Sequence, residues 1–162
     1  MYDAGAAITE EHSFMPEGRR LIMRKEFTFP GDVESIAGSR EQVMQCVRKY
    51  CADNETEIDL TVALQEALAN AVLHGCGNDA GKVIHCAIEV KPSSISCVVR
   101  DPGPGFDFER IADPNRFETS TLEHGRGLAL MRSLVDEVAF TRGGSEVHFS
   151  KRMNCRAASP AL

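Results

Sequence analysis

Two β-hairpin signals, three helix-length runs and the order in which they alternate predict an α/β two-layer sandwich, with a mainly antiparallel mixed sheet and its helices on one face. The first signal is "KVIHCAIEV" (82–90), which turns at Pro92-Ser93-Ser94 into "ISCVV" (95–99). The second is "VAFTRGGSEVHFS" (138–150), two alternating runs across a Gly-Gly turn. Hairpins require antiparallel pairing, so a doubly wound parallel fold does not fit. The order is strand, helix, helix, hairpin, loop, helix, hairpin, and no internal repeat is visible.

Each element has its own reason. "LIMRKEFTF" (21–29) sets Leu21, Met23, Phe27 and Phe29 against Ile22, Arg24, Glu26 and Thr28, the alternation of a half-buried strand, and it closes at Pro30-Gly31. From Asp32 to about Cys51, Ile36, Val43 and Val47 recur near helical spacing with Asp32 as a candidate cap. Thr56-Glu57-Ile58-Asp59 resembles a capping box, and "LTVALQEALANAVLHG" behind it is rich in strong helix formers and ends at Gly75. In the central hairpin Ile84, Cys86, Ile88 and Val90 share one face with Ile95, Cys97 and Val99. "HGRGLALMRSLVDEV" (124–138) reads as a helix entered through glycines.

At 162 residues the chain fits one domain with a substantial interior, and 43% hydrophobic with 26% charged residues is an ordinary globular balance. The net charge is -6 and no basic run exceeds a pair such as Arg24-Lys25, which argues against direct nucleic-acid binding. "MYDAGAAITEEHSF" lacks the basic start and apolar stretch of a signal peptide, and no segment approaches membrane-spanning length, so a cytoplasmic protein without membrane contact is expected. Residues 1–19 and 153–162 read as loosely held ends around a domain at 20–152. The six cysteines contain no C-x-x-C pair and read as reduced, mostly buried thiols. A zinc set from His74, Cys76, His85 and Cys86 fails on spacing, because the second pair falls on opposite faces of a strand.

Three motifs carry chemistry. On the middle helix Glu66, Asn70 and His74 follow at i, i+4 and i+8 and form one stripe, while Leu64, Leu68, Ala71 and Val72 turn elsewhere. A solvated face is the plain alternative for Glu66. Asn70 is a poor helix-interior residue, but its carbonyl oxygen suits Mg²⁺ that also holds waters and phosphates. "DPGPGFDFER" (101–110) puts an acid at the end of a core strand just before two spaced glycines, where a plain loop is the alternative. "HGRGLALM" brings Gly125 and Gly127 to a helix start, where backbone N–H groups favour anions; alone, such a G-x-G is an ordinary turn. A metal ligand, an acidic turn and a phosphate cradle together are what a nucleotide site needs.

With the motifs in this order, the chain resembles the gyrase, heat-shock chaperone, histidine kinase and mismatch-repair (GHKL) ATPase superfamily. "EALANAVLHG" is similar to its N box, "DPGPGF" to its first glycine box and "HGRGLALM" to its second; the spacing and "MRSLVDEVAF" are most similar to the small anti-sigma-factor serine kinases. The resemblance spans roughly Leu21 to Arg152 and implies the Bergerat-type ATP-binding fold. It implies ATP and Mg²⁺ as cofactors, Glu66 as the catalytic base and Asn70 as the Mg²⁺ residue. Asp101 would accept a hydrogen bond from the adenine amino group, with Gly103 and Gly105 letting the chain turn beneath it, and Gly125, Arg126, Gly127 and Leu128 would form the phosphate-binding turn. His74 falls where many members also have histidine and is assigned no chemistry. The implied partners are a sigma factor, an anti-anti-sigma antagonist that is phosphorylated, and a second copy in a homodimer. A non-catalytic ATP- or partner-binding module and a detached histidine-kinase-like domain are the alternatives. The 110–124 stretch, with Asp113-Pro114-Asn115 and little apolar surface, is expected to be a short nucleotide-responsive lid.

Overall fold

In the computed structural model, residues 20–107 and 122–153 are described. The expected loose ends, 1–19 and 153–162, and most of the expected lid lie outside the described residues, except Met153, which is buried and donates its N–H to the Ser93 carbonyl at 2.9 Å. Five strands, β1 (Met23–Gly31), β2 (Asp79–Lys91), β3 (Ser94–Arg100), β4 (Glu137–Thr141) and β5 (Glu146–Arg152), form one sheet in the order β1-β2-β3-β5-β4. All four pairings are antiparallel. Three helices, α1 (Ser35–Arg48), α2 (Asn54–Asn70) and α3 (Leu122–Leu134), complete the two layers.

The layers follow from the period-2 pattern. Phe29 on β1, Ile84, Cys86, Ile88 and Val90 on β2, Ile95, Cys97 and Val99 on β3, and Val147 and Phe149 on β5 are buried in one core with Val43, Met44 and Val47 of α1, Leu60, Leu64 and Leu68 of α2, and Met131 of α3. Each such side chain contributes about 1.5–3 kcal/mol by leaving water. Alternate positions form the opposite, open face. Its register gives three rows: Thr28–His85–Arg100–Glu146–Thr141, Glu26–Ala87–Val98–His148–Ala139 and Arg24–Glu89–Ser96–Ser150–Glu137.

Local starts and stops differ from the sequence reading in physical detail. Asp32 does cap α1 in effect, its carboxylate accepting the Ser35 N–H at 2.9 Å, but regular helix begins only at Ser35 and ends at Arg48. The cap of α2 is Asp53, whose Oδ1 accepts the Thr56 N–H at 2.7 Å; Thr56 sits buried in the first turn, so the expected capping box at Thr56–Asp59 is displaced by three residues. Helix α2 does not stop at Gly75. It widens into a π-helical turn, Ala71–Cys76, and the left-handed residue that ends it is Gly77 at φ +67°. Leu21 stands outside β1 and is about half exposed, because the β1–β2 register begins at Met23↔Val90. The last hairpin turns through Arg142–Ser145 rather than through two glycines, since Thr141 pairs with Glu146.

A partly buried tie fixes α3 against this frame. The Lys151 ammonium donates to Asp59 Oδ2 on α2 and to the Leu134 carbonyl at the end of α3, both at 2.6 Å. One cation thus caps α3 and joins it to α2. Among the glycines, Gly38 in α1 has open space where a Cβ would go. We therefore expect Gly38→Ala to raise unfolding stability by about 0.5–1 kcal/mol, through helix propensity alone. Chemical denaturation checks this, and an unchanged or lower midpoint would show that Gly38 has a contact partner.

Candidate functional site

The end of α2 and the chain leaving β3 are packed almost without side chains between them. After the π-helical turn, Gly75 lies so close to Asp101 that a Cβ there would overlap the Asp101 carboxylate. A Cβ on Gly103 would meet the Gly75 Cα at 2.6 Å. Asp101 is held at both ends of the residue: its N–H donates to the Ser145 carbonyl at 3.0 Å, and its Oδ1 accepts the Gly103 N–H at 2.8 Å. The carboxylate is half-buried, and that burial pushes its pKa above the ordinary aspartate value, partly offset by the Gly103 N–H.

The turn that follows is clasped by the β4–β5 connection. Gly105 takes φ +76°, and a Cβ on it would overlap the Gly143 carbonyl oxygen. A Cβ on Gly144, at φ +97°, would overlap the Phe106 carbonyl oxygen, and Phe106 N–H donates to the Gly143 carbonyl at 3.0 Å. Two glycine-bearing segments therefore lie backbone against backbone.

Between α2 and this turn is a slot of about 30 Å³ lined by Ala67, Asn70, Ala71, His74, Val99, Asp101, Gly105, Phe106, Met131, Phe140, Gly144, Ser145 and Val147. Its lining is mostly apolar, with one half-buried acid at the β3 end, which is the chemistry an adenine ring with its exocyclic amino group needs. Its present volume holds a water or two, not a purine. A roomier concavity, about 700 Å³, lies elsewhere, on the open face of the sheet around Ala87, Val98 and His148. It contains none of the motif residues.

Beyond the slot, α2 and α3 meet where the polar stripe begins. Gly127 faces α2 so closely that a Cβ on it would lie 2.5 Å from Glu66 Oε2 and 3.9 Å from the Asn70 amide. Glu66, Asn70 and Gly127 are thus brought together, with Asn70 also lining the slot that Asp101 floors. Leu64, Leu68, Ala71 and Val72 turn into the core as the stripe required, and His74 lies exposed at the slot edge. Arg126 is exposed and Leu128 is buried without lining the slot.

The phosphate turn is where the structure departs from expectation. Gly125 and Gly127 do not precede the helix; α3 starts at Leu122 and runs through both. A helix with that start already engages the Gly127 N–H in its own i→i−4 ladder. Close packing on Glu66 accounts for the winding, because only a side chain lacking Cβ lets the two helices approach here. Presenting the Gly127 N–H to a phosphate calls for the first turn of α3 to unwind.

Among the described residues no three His, Cys, Asp or Glu side chains gather to hold a metal ion. His85 points to the open face and Cys86 into the core. Mg²⁺ fits a different donor set: the Asn70 amide, beside the Glu66 carboxylate, would complete a shell made mainly of phosphate oxygens and waters. The contributors that sequence reasoning missed are Gly75, Phe106, Phe140, Met131 and the Gly143–Ser145 turn. The doubled glycine at 143–144 was visible as a hairpin signal, and nothing in the sequence assigned it to the Asp101 turn.

Asp101 has a testable signature. A raised carboxyl favours the folded empty protein while protonated, and that contribution is lost as the pH rises through its raised pKa. Accepting a hydrogen bond from adenine needs the ionised form, so ATP affinity should increase over the same window, above the ordinary aspartate value of ~3.9. Calorimetric titrations across pH should show this rise in the unsubstituted chain and not in Asp101→Asn. GTP should compete poorly, since its base would set a carbonyl against the carboxylate. Equal competition by GTP and ATP would remove base recognition from Asp101.

Known proteins place this geometry. The model of the histidine kinase-like ATPase domain matches residues 29–151. An anti-sigma F factor of Geobacillus kaustophilus (strain HTA426) is 33% identical over 148 residues, covering 88% of this chain and 98% of that protein. The anti-sigma F factor of Geobacillus stearothermophilus is 29% identical over 121 residues, covering 74% and 82%. In fold, the chain is similar to the crystal structure of the RsbU and RsbW domains of Rv1364c from Mycobacterium tuberculosis, with a TM-score of 0.55 and 18% identity over 82% of this chain and 32% of that one. The chain belongs to the histidine kinase-like ATPase family and, within it, to the anti-sigma factors of GHKL type.

Proposed function

We propose that this chain is an ATP-dependent protein-serine kinase of the cytoplasm that phosphorylates an anti-anti-sigma antagonist and, when unopposed, sequesters a sigma factor. The observation that carries the reading is the meeting of Glu66, Asn70 and Gly127 at one end of an apolar slot floored by Asp101. The slot would take adenine, and the Glu66 end would take the phosphates.

In the transfer, the acceptor serine oxygen forms a bond to the γ-phosphorus as the bond from that phosphorus to the β–γ bridging oxygen breaks, and ADP leaves. Glu66 orients the serine hydroxyl and receives its proton. Asn70 would hold Mg²⁺ there, and the ion would supply neutralisation of phosphate charge. Gly125 and Gly127 supply backbone N–H groups once the first turn of α3 has opened.

A homodimer belongs to the same reading, and the open face of the sheet supports it. Its middle row carries Ala87, Val98 and Ala139 between two charged rows. A twofold axis along β3 exchanges the β1 and β4 edges, setting Arg24 opposite Glu137 of a second copy and His85 opposite its Glu146, with Val98 on the axis. Sedimentation equilibrium should show a dimer that Val98→Glu breaks while ATP binding persists. A monomeric unsubstituted chain would remove the homodimer.

A second reading is a module that holds ATP or a partner without turnover. One experiment separates the readings. The chain is incubated with γ-labelled ATP and a lysate of the source cell, and the labelled proteins are identified by mass spectrometry. A small protein carrying acid-stable phosphoserine is expected. Acid-labile label would point to a histidine-kinase-like domain, and ATP binding without transfer would point to the module.

A further inference from the structure

The β4–β5 connection holds a conformation that its sequence only partly favours. Arg142, Gly143 and Gly144 follow one another at φ +53°, +66° and +97°. The two glycines take such angles freely, whereas an arginine there brings its Cβ too close to a carbonyl oxygen and is disfavoured. Two contacts hold Arg142 in place. Its carbonyl accepts the Ser145 hydroxyl at 3.0 Å, and its guanidinium Nε lies 3.3 Å from Glu146 Oε2. Across the neck of the turn, Thr141 donates its hydroxyl to Glu146 Oε1 at 2.8 Å, and His148 Nε2 lies 2.8 Å from the same oxygen. Burial alone would raise the Glu146 carboxyl, but His148 and Thr141 more than offset it and hold the group below the ordinary glutamate value, ionised beside Arg142 at neutral pH.

The turn held in this way presents two carbonyls to the acidic motif. That of Ser145 accepts the Asp101 N–H and that of Gly143 accepts the Phe106 N–H, both at 3.0 Å. Gly144 and Ser145 line the slot, whereas Glu146 lines the concavity on the open face of the sheet. Any effect of Glu146 on a bound base therefore passes through the turn.

We propose that Glu146 is a positioning residue for base recognition: by clamping Thr141 and Arg142 at the neck of the turn, it fixes the Ser145 and Gly143 carbonyls and, through them, the aim of the Asp101 carboxylate. The proposal rests on the ATP reading of the slot and adds a residue on the opposite face of the sheet that sets affinity and base preference there.

Equilibrium binding of Mg-ATP to the full chain, with Mg-GTP as competitor, tests this. Glu146→Ala frees Arg142 to leave the left-handed conformation, and ATP affinity should fall by roughly two- to tenfold. GTP affinity should change less, so the preference for ATP narrows. Glu146→Gln keeps the volume and an acceptor for Thr141 but offers Arg142 no charge, and should act in the same direction to a smaller extent. The route is read in an Arg142→Gly background, where glycine takes the left-handed angle without a clamp. Adding Glu146→Ala there should change ATP affinity by less than about twofold. The thermal transition of each variant is recorded first, to establish that it is folded at the temperature of titration. Lower stability with unchanged ATP affinity and unchanged base preference would make Glu146 a plain packing residue and overturn the proposal. A loss shared equally by ATP and GTP, or repeated in full in the Arg142→Gly background, would overturn it too. Each of these outcomes leaves the ATP reading standing, whereas no binding of ATP by the unsubstituted chain removes both.

Discussion

Glu66→Ala is expected to lower phosphoryl transfer to the acceptor serine by about 10²–10⁴-fold while leaving ATP affinity within a few-fold. The separation follows from where Glu66 lies. It lies against Gly127, beside the proposed phosphate site, and does not line the slot that would hold the base, so its carboxylate would act mainly as charge and protons move in the transition state. Glu66→Gln keeps the shape against Gly127 and should lose transfer just as far, which distinguishes lost chemistry from a disturbed α2–α3 contact. Asn70→Ala, one helical turn on, should weaken Mg²⁺-dependent binding as well as transfer. The measurement is label transfer and ATP affinity side by side. Near-normal transfer in Glu66→Gln would contradict its role as base.

Gly105→Ala is the substitution expected to damage the fold most. Gly105 combines φ +76° with a position where a Cβ would overlap the Gly143 carbonyl oxygen, and the neighbouring turn is itself held by Phe106 N–H to Gly143 and by Gly144 against Phe106. Backbone, not a flexible side chain, would have to move. Strain and overlap together should cost roughly 2–5 kcal/mol, a large part of the 5–15 kcal/mol typical of a domain. At about 2–4 °C per kcal/mol for a chain of this size, Tm should fall by roughly 4–20 °C. ATP binding should be lost with it, because the same movement displaces Asp101 and Phe106. A Gly105→Ala protein with unchanged Tm would show that the two turns are not locked together in solution.

Much of the fold was legible because it rests on local periodicity. The alternation at Ile84–Val90 and Ile95–Val99 specifies both register and buried face, and the Leu60–Leu68 spacing specifies the face of α2. The polar stripe of Glu66 and Asn70 is legible for the same reason, since i and i+4 on one helix must share a side. What failed is what depends on contacts distant in sequence. Gly75 reads as a helix stop, yet its role is to admit Asp101, a residue 26 positions later that no local pattern could pair with it. The π-helical turn that carries Gly75 there leaves no periodic trace. Asp53 and Thr56 both belong to good capping chemistry, and only the hydrogen bond shows which one caps. Gly125 and Gly127 are poor helix formers and read as a turn, but both lie within α3, where Gly127 packs closely on Glu66. The Phe106–Phe140 pair joins two segments that the sequence gives no reason to connect.

Nucleotide should enter between α2 and the Asp101 turn rather than the larger concavity on the open sheet. Backbone amide shifts of isotope-labelled protein titrated with Mg-ATP test it most directly. The slot reading requires the largest changes at Asn70, Asp101, Gly105, Phe106 and Gly144, together with Gly127 as α3 opens. Changes centred on Ala87, Val98 and His148, with the slot residues silent, would place the nucleotide on the open face and contradict it.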